Sequence, residues 1–405
     1  MTALSVPMAQ RPWAVALAGL LALAVAMGIG RFAFTPLLPM MLHDGVLDLQ
    51  GASGLATANY IGYWLGAVAC ALQPRLWTRW GITRLLAPAR VVRLGLVATV
   101  LLTLTMALQW PGLWPLARLL AGVASALVFV YGSGWCLAQL TALGKPALGG
   151  IMFVGPGLGI AASGLAASAM VAAGWSAAAG WLAFGLLALL LSASAWPRLQ
   201  GRVAAAPADA AVAAQGPRGA LSLFVLAYGL AGFGYIITAT FLPVIARQAL
   251  PGSVWLDLFW PLFGLSVAAG ALLTLRLPMR WDRRTLLMAA YAMQALGVAM
   301  SVWLPSILGF ALGSLLLGLP FTAITLFAIQ EARRLQPHDT SALIGMLTAA
   351  YGLGQIAGPP LAAWLLQRSA SVDRGFDRAL LIAALALLAG VLIFGWLARR
   401  DPPEA

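Results

Sequence analysis

Charged side chains are scarce in this sequence. Asp, Glu, Lys and Arg together make up 9% of its 405 residues, whereas a soluble globular protein carries roughly 25%. So few charges do not cover the surface of a water-exposed protein of this length, and 62% of the residues are hydrophobic. This composition excludes a soluble globular protein and predicts an all-α polytopic membrane protein.

Residues with the usual catalytic chemistry are also few. The chain has two histidines, His43 and His338, which fall in separate predicted loops, and two cysteines, Cys70 and Cys136, which lie inside apolar stretches. We therefore expect no metal site, no cofactor and no disulfide. The predicted spans hold no histidine and no paired acids, which argues against a membrane enzyme. The absence of a G-x-x-x-x-G-K-[ST] loop argues against an ATP-driven pump.

The net charge of +13 would suggest a nucleic-acid partner in a soluble protein. In a membrane protein it has a simpler explanation, because cytoplasmic loops retain Lys and Arg. We therefore expect a lipid bilayer as the surroundings and no nucleic-acid partner.

Twelve apolar stretches are long enough to cross a bilayer, which takes about 20 residues of helix. The predicted spans are 13–41, 52–73, 86–109, 112–137, 147–171, 175–196, 221–246, 254–277, 285–304, 306–331, 341–367 and 379–398. With twelve spans, most Lys and Arg residues fall on the side of the N-terminus. Four arginines fall on the other side: Arg247, Arg368, Arg374 and Arg378. The positive-inside rule then places both termini in the cytoplasm.

The chain divides into two halves that resemble each other. The segment 197–219 is rich in Ala, Pro and Gly and has no aromatic residue, which is typical of a flexible linker. It separates a predicted six-helix bundle over 1–196 from a second over 220–405. A Gly-x-Gly and Leu-Pro pattern in 28–39 recurs in 232–243. Pseudo-symmetric six-helix halves are typical of transporters that hold their substrate between the halves.

These segments resemble a known family. The runs GIGRFAFTPLLP at 28–39, ANYIGY at 58–63 and GFGYIITATFLP at 232–243 are similar to the YbfB/YjiJ family of the major facilitator superfamily. The resemblance implies a secondary transporter that works by alternating access in the bacterial inner (plasma) membrane. It implies a small-molecule substrate, and we expect a monomer. Gly155-Pro156-x-x-Gly159 resembles a motif of proton-driven exporters, which favours export coupled to protons.

Arg31 is the most informative residue of the sequence. It lies near the middle of an apolar span, where an ionised side chain costs ~2.5–3.5 kcal/mol unless it faces a cavity or a partner. One hypothesis is that Arg31 binds an anionic group of the substrate, because a guanidinium offers a two-pronged fork. The alternatives are an arginine that caps carbonyls of a broken helix, or one that pairs with a carboxylate on another span.

Further candidates are polar residues inside the spans. By the resemblance, spans one, four, seven and ten surround the cavity, and neutral polar pairs four residues apart share a helical face. The expected substrate-binding residues, with Arg31, are Asn59, Tyr63, Tyr235, Thr322, Thr325, Tyr351 and Gln355. Any of these could instead form interhelical hydrogen bonds.

Two residues are candidates for coupling transport to protons, namely Arg118 in span four and Asp257 at the start of span eight. Arg118 could instead reach the membrane surface, and Asp257 could be a loop residue. Glu331 is expected to pair with the neighbouring arginines. A non-transporting sensor or scaffold built on a transporter fold remains the alternative to a transporter.

Overall fold

The computed structural model describes residues 11–79, 86–200, 218–253, 255–277, 281–336 and 340–400, and their regular structure is helical. Spans one to six comprise Pro12–Leu23 with Phe34–His43, then Leu49–Arg79, Pro88–Thr105, Trp114–Ala142, Val154–Ala172 and Ala177–Ala195. Spans seven to twelve comprise Arg218–Ala249, Phe259–Thr274, Arg283–Trp303, Ile307–Gly318 with Phe321–Leu335, Thr340–Arg368 and Val372–Arg400. The predicted all-α fold of twelve long helices is confirmed.

Eleven of the described stretches are long and apolar enough to cross a membrane. The exception among the twelve is span eleven, Thr340–Arg368, whose apolar run is interrupted by Tyr351, Gln355 and the pair Pro359-Pro360. Span twelve begins at Val372, earlier than the predicted 379, because the helix includes a polar first turn with Asp373.

Parts of the sequence prediction lie outside the described residues. The model describes residues 197–200 and 218–219 of the predicted linker 197–219, and the central segment 201–217 lies outside the description. His338 and the first ten residues lie outside it as well. Cys70 and Cys136 are both free thiols in the structure, and Cys136 is buried.

Pairs of helices approach each other closely at glycine residues, because glycine has no side chain to keep them apart. In the crossing of spans two and four, a Cβ on Gly122 would overlap the carbonyl oxygen of Asn59, and a Cβ on Gly62 would overlap that of Leu119. In the crossing of spans five and eight, Gly157 and Gly264 lie against the backbone of the facing helix in the same way. Small residues therefore set the helix spacing, as they commonly do in membrane bundles.

Span one is a broken helix. Its first part ends at Leu23, residues Ala24–Ile29 form a π-helical turn, and Gly30–Ala33 form a turn before the helix resumes at Phe34. Gly28 permits this geometry next to span five, because a Cβ at this position would overlap the backbone of Gly159. The sequence analysis predicted one continuous helix here, and the break places Arg31 in a non-helical turn near the centre of the span.

Span ten is also interrupted. Its two helices meet at Leu319 and Pro320, where the sequence analysis predicted a single helix over 306–331. Proline removes a backbone donor and clashes with the preceding turn, which accounts for the break.

Most of the described basic residues lie on the side of the bundle where span one begins, which we call the basic face. Towards the opposite face, every residue from Ala22 to Met41 is buried, and span seven is likewise buried from Ala231 to Ala246 with the exception of Phe233. Towards the basic face, both spans alternate between buried and exposed residues. The centre of the bundle is therefore packed more tightly towards the opposite face.

Hydrogen bonds hold this tight region together. Thr35 Oγ1 donates to the Ala239 carbonyl at 2.8 Å, which joins span one to span seven. The Tyr60 and Thr240 hydroxyls lie 2.8 Å apart, which joins span two to span seven. These contacts lie towards the opposite face from the central site described next.

Candidate functional site

Arg31 is buried at the centre of the bundle, with 4% of its surface exposed. Its guanidinium carbon lies 4.1 Å from the centroid of the Tyr63 ring, and the rings of Phe32 and Tyr60 are 5.2 and 5.4 Å away. Its Nη2 donates to Gln355 Oε1 at 2.6 Å, and its buried Nε has no hydrogen-bond partner among the described residues. The cation therefore meets aromatic faces and a neutral amide.

Arg118 caps the break in span one. Its Nη1 and Nη2 donate to the carbonyls of Gly30 and Arg31 at 3.1 and 3.0 Å, and 3% of its surface is exposed. Ser125, two turns further along span four, donates to the Ala26 carbonyl at 2.7 Å. The carbonyls that the irregular turn leaves without helical partners are thus satisfied from span four. The capping role considered for Arg31 belongs to Arg118, and Arg118 does not extend to the membrane surface.

Asn59 supports the same arrangement. Its Nδ2 donates to the Arg118 carbonyl at 2.9 Å, across the close crossing of spans two and four. The prediction paired Asn59 with Tyr63 on one cavity-facing surface. The structure brings Tyr63 to Arg31 but gives Asn59 a partner in the backbone of span four.

Gln355 links the two halves of the chain at the site. It accepts from Arg31 in span one, and its Nε2 donates to the Tyr235 hydroxyl in span seven. The Tyr351 ring lies one helical turn before Gln355 and stacks on Tyr235, with ring centroids 5.9 Å apart. The predicted pair Tyr351 and Gln355 therefore shares one face, and that face meets Arg31.

A wall of aromatic rings continues from Tyr235 towards the basic face. Tyr228 lies two turns before Tyr235 on span seven, and its ring is 4.9 Å from that of Tyr351. Phe321, at the start of the second helix of span ten, packs edge-on against Tyr235 at 5.0 Å. Tyr63, Tyr351 and Phe321 are partly exposed, so this wall is accessible in part.

Span ten contributes hydroxyl groups to the wall. The Tyr228 hydroxyl donates to Thr325 Oγ1 at 3.1 Å. Thr322 lies one turn earlier, and its buried Oγ1 has no hydrogen-bond partner among the described residues. Both predicted threonines thus lie near the aromatic wall, without a contact to Arg31 itself.

The two acidic residues considered in the sequence analysis, Asp257 and Glu331, lie in the outer parts of their spans, near helix ends. Asp257 forms an ion pair with Arg247 at the face opposite the basic face. Glu331 pairs with Arg334 at 2.9 Å, as expected, and it is buried. The remaining described acids lie beyond helix ends or within the first two turns of a helix, namely Asp44, Asp48, Asp282, Asp373 and Asp377.

The sequence analysis missed some residues of the site. Tyr60 and Phe32 contribute rings around Arg31, and Tyr228 and Phe321 belong to the aromatic wall. Tyr60 lies within the ANYIGY run, but its position one residue after Asn59 gave no sign that it faces the site. Tyr228 lies seven residues before Tyr235, a spacing of two helical turns that could have indicated a shared face.

Comparison with known proteins agrees with this architecture. No curated protein matches the sequence. The structure is similar to the nucleoside transporter NupG as its D323A mutant, with 16% identity, a TM-score of 0.68 and coverage of 94% of this chain and 99% of that one. It is also similar to the human organic anion transporter MFSD10 (TETRAN), with 16% identity, a TM-score of 0.64 and coverage of 96% and 100%.

A bacterial homologue of the human lysosomal transporter Spinster, in an inward-facing and unoccupied conformation, matches with 12% identity and a TM-score of 0.66. That match covers 96% of this chain and 98% of the other. At these identities the similarity shows the major facilitator fold. Residues 23–394 match the family model described as "Uncharacterised MFS-type transporter YbfB". The chain is therefore a membrane transporter that belongs to the YbfB family of the major facilitator superfamily.

Proposed function

We propose that this protein is a secondary transporter that carries a small anionic or polar organic solute by alternating access. The observation behind this proposal is Arg31, a buried cation where spans one, two and eleven meet, which donates a hydrogen bond to the neutral amide of Gln355. A buried charge is costly unless a partner compensates it. An anionic group of a solute would supply that partner, and the guanidinium fork suits a carboxylate.

The unequal packing of the two ends of the bundle supports alternating access. Spans one and seven are continuously buried towards the opposite face, where Thr35 bonds to Ala239 and Tyr60 to Thr240. If these contacts broke while the bundle closed at its basic face, Arg31 would become accessible from the opposite face. The structure corresponds, in this proposal, to a state closed at the opposite face.

The transport experiment uses purified protein in liposomes and a panel of radiolabelled organic acids, sugars and amines. We expect uptake of an anionic solute by the wild type and its loss in Arg31→Ala. Arg31→Lys should also be impaired, because an ammonium does not reproduce the guanidinium fork. Arg374→Ala, which changes an exposed arginine at a helix end, is the matched control and should transport normally.

Normal transport by Arg31→Ala would refute the role of Arg31 in binding. If no solute of any class moves in the wild type, the sensor or scaffold alternative becomes the better account. Circular dichroism and gel filtration of each variant separate loss of binding from loss of folding.

We also propose that transport is coupled to protons and runs outward. The support for export is the Gly155-Pro156-x-x-Gly159 motif in span five. Asp257 and Arg118 are the coupling candidates. Asp257 pairs with Arg247 at the closed face, so gain of a proton there would release that ion pair. Asp257→Asn and Arg118→Lys should flatten the pH dependence of transport, and a wild-type pH profile in both would place coupling elsewhere.

The orientation follows from the basic face. We propose that this face lies in the cytoplasm of a bacterial cell and that both termini lie there, because cytoplasmic loops retain Lys and Arg. In a background without native cysteines, Asp209→Cys should react with an impermeant thiol reagent from the cytoplasmic side. Asp373→Cys should react from outside, and the reverse pattern would overturn this orientation.

A further inference from the structure

The charge of the site sets the charge of its ligand. Arg31 in span one and Arg118 in span four are both buried, and the fork of Arg118 is already occupied by the carbonyls of Gly30 and Arg31. Arg31 therefore offers one positive charge for one negative group. A dianion would bring a second charge into the buried centre without a partner, which is costly.

No described carboxylate lies beside Arg31. The described acidic residues are near helix ends, and four other acids of the sequence lie outside the described residues, namely Asp209, Asp339, Asp401 and Glu404. An ammonium group on the ligand would thus lack an anionic partner among the residues that surround Arg31. The site disfavours amines and zwitterions for this reason.

The guanidinium of Arg31 is positioned for a planar acid. Its guanidinium carbon lies over the Tyr63 ring at 4.1 Å from the centroid, and its N–H groups lie in the plane of the guanidinium. Nη2 is occupied by Gln355 and the buried Nε is unpartnered among the described residues. A carboxylate that meets Nε and Nη2 would replace Gln355 as the acceptor, and Gln355 would keep its bond to Tyr235.

The wall beside Arg31 is suited to an aromatic ring. Tyr235, Tyr351 and Tyr228 form a continuous stack with centroids 5.9 and 4.9 Å apart, and Phe321 borders it. Tyr228 and Tyr235 are seven residues apart, or about 10 Å along the helix axis. One or two fused rings that extend from Arg31 towards the basic face have a comparable length. The hydroxyl of Thr322 lacks a partner among the described residues and is a donor for a substituent on such a ring.

We propose that the substrate is an aromatic monocarboxylate, with its carboxylate on Arg31 and its ring against Tyr351 and Tyr63. This inference rests on the proposed function and narrows it to one class of solute. Arg31, the cation of the described site that has no anionic partner, sets the charge of the ligand. The lack of a described neighbouring acid argues against an ammonium, and the aromatic wall suits a ring.

The test is ligand-induced thermal stabilisation of the purified wild-type protein with matched probes. These are benzoate and 2-naphthoate, the saturated acid cyclohexanecarboxylate, the neutral benzamide, the cation benzylamine and the dianion phthalate. We expect 2-naphthoate and benzoate to stabilise the protein at millimolar concentration by mass action. Cyclohexanecarboxylate should bind about two- to tenfold more weakly, the ratio that a lost aromatic pair implies. Benzamide, benzylamine and phthalate should have little effect.

Variants separate the two parts of the site. Tyr351→Leu should reduce the preference for benzoate over cyclohexanecarboxylate, whereas Arg31→Lys should weaken the binding of both acids. The control is Tyr131→Leu, which changes a tyrosine that bonds to Gln73 in the N-terminal half. This variant should bind the probes in the same order of affinity as the wild type.

Equal binding of benzoate and cyclohexanecarboxylate to the wild type, or no stabilisation by either aromatic acid, overturns the inference. Transport of an aliphatic acid that depends on Arg31 would leave the proposed function intact while this inference fails. Failure of the wild type to transport any solute of the panel would instead remove the proposed function.

Discussion

Arg118 is predicted to hold the broken part of span one in place. In Arg118→Met the aliphatic stem remains, but the carbonyls of Gly30 and Arg31 lose their donors inside the bundle. Each buried group left without a partner costs about 1–3 kcal/mol, or about 2–6 kcal/mol for both. Removal of a buried cation offsets part of this cost. We therefore expect the free energy of unfolding to fall by about 2–4 kcal/mol.

The assay is unfolding of the purified protein by titration with a denaturing detergent, compared for Arg118→Met and the wild type. Arg374→Met removes an exposed arginine and should change the unfolding free energy by less than about 0.5 kcal/mol. Arg118→Lys retains the charge but not the two-pronged fork, so an intermediate loss is expected.

Hydrogen exchange provides a local readout for the same variants. Backbone amides of residues 24–33 should exchange faster in Arg118→Met, while those of span twelve should exchange as in the wild type. If Arg118→Met is as stable as Arg374→Met and residues 24–33 keep their protection, the capping argument is refuted.

Two further predictions concern helix packing and closure. Gly122→Ala should strongly destabilise the protein, because the added Cβ would overlap the backbone of span two. Gly134→Ala on the same helix places its Cβ in open space and should leave the stability unchanged. Thermal unfolding of both variants tests this contrast. Tyr60→Phe should loosen the closed face by removing the bond to Thr240. A buried Leu38→Cys reporter should then react about two- to tenfold faster with thiol reagents, and an unchanged rate would contradict the role of this bond.

The sequence predicted the helices well because each span is a long apolar stretch bounded by charges or turn residues. It failed at the breaks in spans one and ten. The π-helical turn over Ala24–Ile29 depends on Gly28 lying against Gly159 and on Arg118 reaching the freed carbonyls. Both are contacts with other spans, which the local composition of span one does not indicate.

The site was predictable as a set of residues but not as a network. The spacing of Tyr351 and Gln355 indicated a shared helical face, and burial of Arg31 in an apolar run indicated a special role. The pairing of Arg31 with Gln355 joins positions 324 residues apart, which no local pattern encodes. The roles of Arg118 and Asn59 depend on the close crossing of spans two and four for the same reason.

The most direct test of the central claim is the isosteric substitution Gln355→Glu. It places a carboxylate where the amide now accepts from Arg31, so the protein would supply its own anion to the buried cation. We expect this variant to unfold at a higher temperature than the wild type and to lose stabilisation by any anionic solute that stabilises the wild type. If Gln355→Glu binds that solute as tightly as the wild type does, Arg31 is not the site that receives its negative charge.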